Sequence, residues 1–256
     1  MKREKNSAFF QSKPSAGSVV VADVGNNIRA VLRNSRSTGS ILLTDKKLTE
    51  IPAAVFNIET SLEADEKFWE IQPTTKMDLS NNDITTIPSL IASLSNIVTL
   101  KLRNNKIESI SQELFNCSSL THLDLSGNCI SQLDIGIGNL GLLCDLNVGN
   151  NRLRMLPESM CNLQRLANLD LSDNVLELLP ERLGFMSNMI KLNLSNNKLE
   201  HLPDSLCGMK ILQDLNVKKN RLEDLPNLTS LVGLTVLEAS DNKIGRVMII
   251  KSLLKL

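Results

Sequence analysis

The stretch LDLSDNVLELLP, Leu169 to Pro180, places an apolar residue at nearly every second position and yet keeps one carboxamide, Asn174, in its middle. Such alternation describes a short strand with one buried face. A lone strand has no use for a buried amide. The pattern returns, however, at Asn82, Asn105, Asn128, Asn151, Asn174, Asn197, Asn220 and Asn242; the first seven are separated by 23 residues each time and the last step is 22. The apolar positions return with them, from Met77/Leu79/Ile84/Ile87 through Leu146/Val148/Leu153/Leu156 to Leu237/Ala239/Ile244/Val247. A fixed period over eight copies changes the reading of every residue in it, because each unit buries its apolar side only against its neighbours.

Within one unit the L-x-x-L-x-L segment predicts a strand, and stacking copies in one direction predicts a parallel sheet with strands about 4.8 Å apart. The asparagine falls where the chain turns out of the strand. There its side chain can donate to and accept from backbone groups of its own and the adjacent unit, groups that would cost about 1–3 kcal/mol each if left unpaired. Most units follow with Leu or Ile and then proline (Ile87-Pro88, Leu156-Pro157, Leu179-Pro180, Leu202-Pro203, Leu225-Pro226). Proline fixes φ and lacks a donor, which suits entry into a short helix or turn on the outer side. Apolar residues nine and twelve places after the asparagine, such as Met160 and Leu163, are expected to seat that outer segment on the core.

These residues, L-x-x-L-x-L-x-x-N-x-L-x-x-L-P, resemble the leucine-rich repeat in its 23-residue intracellular form, over Ile41 to Val247. The resemblance implies an α/β solenoid, a right-handed horseshoe with a parallel concave sheet and short helices or turns on its convex side. It also implies a protein-interaction scaffold whose partners commonly sit on the concave sheet. A degenerate first copy, ILLTDKKLTEIP at Ile41 to Pro52, has Lys46 in the asparagine position, 36 residues before Asn82. One period plus an insertion containing Phe68 and Trp69 separates them, and related intracellular arrays resemble it in carrying a tryptophan loop after their first copy. The expected organisation is a basic, largely disordered arm over 1–38 with a short helix at Asn27 to Arg33, a first repeat and insertion over 39–74 acting as an N-terminal cap, and eight repeats over 75–256, the last incomplete.

Lys plus Arg and Asp plus Glu both number 28, so overall charge points to neither nucleic acid nor an anionic membrane. The balance hides an asymmetry: residues 1–38 carry seven basic groups against two acidic ones, a basic arm on an acidic body. The longest apolar run near the N-terminus, Val19 to Ala22, is shorter than the roughly 7–15 residues of a secretory signal, and a membrane span needs about 20. Five scattered cysteines, Cys117, Cys129, Cys144, Cys161 and Cys207, lack the clustering of disulfide-capped secreted arrays and read as reduced packing residues. The expected setting is the cytoplasm, with the nucleus also compatible, and the expected state a monomer.

Outward strand positions form the candidate partner-binding face: Lys101, Arg103, His122, Asp124, Asp145, Asn147, Asp170, Lys191, Asn193 and Lys218. Asp124, Asn147 and Asp170 are expected in one lateral row. The pattern describes an acidic centre, with Asp145 and Asp173, between basic flanks, and suits a partner of mixed charge with a basic centre; the plainer reading is a solvated sheet face. A second row, one place after each asparagine, contains Lys106, Arg152, Lys198, Arg221 and Lys243, interrupted by Asp83, Cys129 and Val175, and reads as a soluble rim or a ridge for an acidic partner. Phe68-Trp69 either folds over the first repeat or is a docking element. The terminal VMIIKSLLKL, Val247 to Leu256, either caps the array or presents an apolar end.

Nothing in the sequence has the arrangement of an active site. His122 and His201 fall in different units and at different places within the unit, the cysteines lack metal-ligand spacing, and there is no phosphate loop with its lysine. Cofactors and metals are therefore not expected. The reading is a non-catalytic intracellular scaffold or adaptor for a protein partner, the alternative being a regulatory or targeting subunit of an enzyme complex such as a phosphatase, a ubiquitin ligase or a small-GTPase pathway.

Overall fold

The computed structural model describes residues 28–58 and 71–245. The expectations for the arm before residue 28, for Phe68-Trp69 and for Val247 to Leu256 lie outside the described residues. Among the described residues, nine three-residue strands form one parallel sheet in strict sequence order: β1 (Ser40–Leu42), β2 (Lys76–Asp78), β3 (Thr99–Lys101), β4 (His122–Asp124), β5 (Asp145–Asn147), β6 (Asn168–Asp170), β7 (Lys191–Asn193), β8 (Asp214–Asn216) and β9 (Val236–Glu238). The degenerate first copy takes its place as β1, and Ser40 pairs with Lys76 across the 36-residue step.

Period-two alternation does what it predicts. The middle residue of each strand from β1 to β8, such as Leu100, Leu146 or Leu192, is buried, while its two neighbours face outward. The buried leucines, isoleucines and methionines of successive units run into one continuous core. On the convex side the described residues form only short 3-10 helices, Glu158–Asn162 and Asp204–Gly208 being typical. Strands repeat every ~4.8 Å, whereas α-helices side by side need 8–10 Å; a thin, tight helix reduces that mismatch. Proline precedes four of these helices directly, at Pro52, Pro88, Pro157 and Pro203. Of the two units with no proline there, one is capped by Asp134, whose carboxylate accepts from Gly136 N at 2.7 Å, and the other begins at Ser111 without a side-chain cap.

Ahead of β1 stands helix α1, residues 28–38, longer than the expected Asn27 to Arg33. Its buried face follows helical spacing: Leu32 is 6% exposed and enters the core, Ser35 is buried, and Ile28 and Val31 pack against them. The helix ends at Gly39, whose φ of +63° and N–H bond to Ser35 O at 2.8 Å make the left-handed C-terminal cap. A β-carbon there would meet Pro73 O at 2.6 Å. Gln72 N donates to Arg36 O at 2.7 Å and Arg36 Nε to Ile58 O at 3.2 Å, so α1 is fastened to the first repeat rather than belonging to a free arm.

Candidate functional site

The asparagine ladder explains why the sheet can repeat so closely. Asn174 Oδ1 accepts from Leu153 N of the preceding unit at 2.9 Å, while its Nδ2 donates to Val148 O at 3.0 Å and to Leu171 O and Ser172 O at 3.1 Å. The same connections recur at Asn105, Asn128, Asn151, Asn197, Asn220 and Asn242. At the first step Asn82 Oδ1 accepts from both Lys46 N and Leu48 N, the backbone of Lys46 supplying the link that its side chain cannot. Among the described residues no buried side-chain nitrogen or oxygen lacks a partner.

The backbone role of the residue before each asparagine is not read from the sequence above. Asn81, Asn104, Gly127, Asn150, Asp173, Asn196, Lys219 and Asp241 all have φ between 51° and 66°, the left-handed region that Gly, Asn and Asp enter most readily. The signal was present in the recurring Asn-Asn, Gly-Asn and Asp-Asn pairs; Lys219 is the one long side chain in the series.

Strand register arranges the outward residues in two lateral rows. The first reads Lys76, Thr99, His122, Asp145, Asn168, Lys191, Asp214, Val236; the second reads Asp78, Lys101, Asp124, Asn147, Asp170, Asn193, Asn216, Glu238. Asp124, Asn147 and Asp170 are thus neighbours, as expected, and Asp145 lies in the other row. A shallow depression of about 590 Å³ runs over β3 to β8 and is lined by Lys101, His122, Asp124, Asp145, Asn147, Asp170, Lys191 and Asn193 together. Arg103 lines a second depression, with Asp45 and Asp78, that shares Lys101 and Asp124 with the first, and Lys218 stands outside both, 3.9 Å from Asp241.

The acidic centre is more tied down than the sequence reading made it. Asp145 accepts from His122 Nε2 at 2.8 Å on one side and from Asn168 Nδ2 on the other. His122 Nδ1 in turn lies 2.7 Å from Thr121 Oγ1. Asp173 accepts from Asn196 Nδ2 at 2.5 Å. In the second row, Asp124 Oδ1 accepts from Ser126 N at 3.0 Å and Ser126 Oγ at 2.6 Å, and Asp170 Oδ1 from Ser172 N at 2.9 Å and Ser172 Oγ at 2.6 Å. Asp78, Asn147, Asn193 and Asn216 make the same turn with the second residue beyond. One oxygen of each residue therefore shapes the exit from its strand, which leaves Oδ2 of an aspartate, or Nδ2 of an asparagine, for the solvent side. The [DN]-x-S spacing at Asp78, Asp124, Asp170 and Asn193 could have shown this from sequence.

Of the rim residues, Lys106 donates to Asp83 at 2.8 Å; that hydrogen bond and the neighbouring charge hold its ammonium above the usual range. His201 lies 3.7 Å from Asp224 on a different part of the unit from His122. Among the described residues there is no group of three or more histidine, cysteine or carboxylate side chains placed to hold a metal, and no helix is long and apolar enough to cross a membrane.

Comparison with known proteins agrees with this architecture. Leucine rich repeat family models match residues 74–94, 95–153 and 164–222, together more than half the chain. Rat volume-regulated anion channel subunit LRRC8A (Rattus norvegicus) is 34% identical over 127 residues, 40% of this chain and 16% of that protein; the chain thus covers only a small part of that relative's length. An internalin from Listeria monocytogenes superposes with a TM-score of 0.72 at 21% identity, covering 88% of this chain and 61% of the other. The leucine-rich repeat ectodomain of a plant membrane receptor kinase from Arabidopsis thaliana, solved in complex with a factor named for Casparian strip integrity, gives a TM-score of 0.65 at 30% identity, covering 77% of this chain and 23% of that one. The leucine-rich repeat fold generally serves protein–protein interaction, and its members are in general non-catalytic scaffolds. With the period, the asparagine ladder, the parallel sheet and the family models in agreement, the chain belongs to the leucine-rich repeat superfamily.

Proposed function

We propose that this protein is a non-catalytic scaffold that binds a protein partner on its concave sheet. The observation that carries the reading is the depression over β3 to β8, where polar and charged side chains from six neighbouring strands converge on one continuous surface. Lys101 stands at one end of that depression and Lys191 toward the other, with Asp124 and Asp170 between them, so the partner is of mixed charge with a basic centre. The face carries no aromatic anchor of the kind that dominates tight interfaces, and its affinity rests on many polar contacts. The similar Arabidopsis ectodomain, solved with a bound factor, supports use of this fold as a docking body. We place the protein in the cytoplasm as a monomer that needs neither metal nor cofactor.

The test is affinity capture from a cytosolic extract, followed by binding measurements between purified components. The comparison is between wild type and Asp124→Asn/Asp170→Asn/Lys191→Gln. These asparagines keep Oδ1 for the strand-exit turns while removing charge, so the fold is left intact. A partner whose affinity falls by about tenfold or more, equivalent to ~1.4 kcal/mol, supports the concave reading; undiminished binding overturns it.

A further inference from the structure

The second lateral row alternates in chemistry as well as in sequence. Carboxylates stand on β2, β4 and β6 (Asp78, Asp124, Asp170), and donors stand between and beyond them on β3, β5 and β7 (Lys101, Asn147, Asn193). All three aspartates are held in one orientation, Oδ1 accepting from the backbone N–H of Ser80, Ser126 and Ser172 at 3.0, 3.0 and 2.9 Å. Asn147 and Asn193 use Oδ1 in the same way, toward Gly149 N at 3.0 Å and Ser195 N at 3.1 Å. Each aspartate therefore turns Oδ2 outward and each asparagine turns its NH₂ outward. The row is a ruler: one acceptor, then one donor, with a full period of two strand spacings, about 9.6 Å.

Resting on the concave-face reading, we infer that this row binds an extended polypeptide segment in the polyproline II conformation, carrying a basic residue at every third position and lying across the strands. A polyproline II chain brings the same face back every three residues, at ~3.1 Å per residue, or about 9.3 Å. That matches the ~9.6 Å period to a few tenths of an ångström, and the slight shortfall suits side-chain tips converging on a concave face. A β-strand repeats a face every two residues, at ~6.7 Å, and falls out of step at once. An α-helix returns after seven residues at ~10.5 Å, but its carbonyls are consumed internally, whereas polyproline II leaves its carbonyls unbonded. Lys101, Asn147 and Asn193 would donate to those carbonyls, and the basic side chains would meet Asp78, Asp124 and Asp170. A conformation that is largely formed before binding also loses little entropy, which suits a face without aromatic anchors.

The experiment is fluorescence polarisation with the full chain and three labelled, acetylated peptides of equal composition, each about nine residues so as to span the three carboxylates at ~3.1 Å per residue. One carries lysine at every third position among prolines, one at alternate positions, and one in a single block. The every-third peptide is expected to bind about tenfold tighter than either control, a difference of ~1.4 kcal/mol, and Asp78→Asn/Asp124→Asn/Asp170→Asn is expected to abolish that preference. Circular dichroism of the triple variant should match wild type, because asparagine retains the turn-forming oxygen. Equal binding of all three peptides, falling together with salt, means charge attraction without register and overturns the inference. If none of the peptides binds while a captured partner still depends on Asp124, Asp170 and Lys191, the polyproline II inference fails and the concave-face reading stands.

Discussion

Asn174 Oδ1 accepts from Leu153 N at 2.9 Å, and it is that amide's partner in the ladder. The three carbonyls that Asn174 serves are less dependent on it: Val148 O also accepts from Asn151 Nδ2, Leu171 O from Asn197 Nδ2, and Ser172 O from Asn150 N. The cost of losing the side chain therefore concentrates on one buried N–H. Asn174→Leu should destabilise by about 1–3 kcal/mol despite its added apolar surface. Urea denaturation followed by circular dichroism measures this; a variant as stable as wild type would show that the amide ladder is dispensable.

Lys219 occupies the position that the other repeats give to Asn, Asp or Gly, with φ at 53°. Its N–H still donates to Ser240 O at 2.9 Å and its carbonyl accepts from Asn197 N at 3.2 Å, so only the side chain is unsuited to the backbone. Left-handed backbone costs an ordinary L-residue about 1–2 kcal/mol, and asparagine tolerates it better. Lys219→Asn is thus expected to stabilise the protein by roughly 0.5–1 kcal/mol, read as a higher urea midpoint at unchanged slope. A lower midpoint would show that the lysine side chain makes a contribution outweighing its strain.

The contrast between Asn174 and Lys219 shows what the sequence discloses. Buried leucines and the amide ladder repeat identically because every unit must solve the same packing problem, so periodicity alone reveals the sheet, its direction and its register. The outer face was less legible: whether five residues form a 3-10 or an α-helix depends on the spacing of neighbouring units rather than on any one of them. Helix α1 was under-read because Ser35 is polar yet buried and bonded to Leu32 O at 2.7 Å. In the candidate face, the rows were readable from alternation, but the ties that occupy Asp145 and turn Asp124 inward by one oxygen involve cross-strand and local geometry that composition does not encode.

Asp124 separates the structural and binding roles of the face. Its Oδ1 takes both donors of Ser126, so Asp124→Ala should cost about 1 kcal/mol through the lost turn, while Asp124→Asn should leave stability nearly unchanged. Thermal denaturation of the pair tests this. If both variants melt like wild type, the turn contributes nothing; if both melt early, the charge rather than the turn is stabilising.

Cys161 is 3% exposed, and burial, reinforced by the Glu158 carboxylate, pushes its thiol up to about 11 from an ordinary 9.0. Cys117, fully buried, is shifted in the same direction by burial alone. A folded-state value above the unfolded one means that the unfolded chain releases its proton first as pH rises. The contribution is therefore fully present below about pH 9 and is lost progressively as pH rises toward about 11. Urea midpoints should fall over that window, and the fall should be shallower in Cys161→Ala, whatever that variant's stability at neutral pH. At pH 8 the folded protein should also protect Cys161 and Cys117 from iodoacetamide until denaturant is added. Rapid alkylation of Cys161 in the folded state would mean that the Glu158–Asn162 helix in which it sits opens to solvent, and an identical pH slope in the alanine variant would mean that the thiol does not set the alkaline loss of stability.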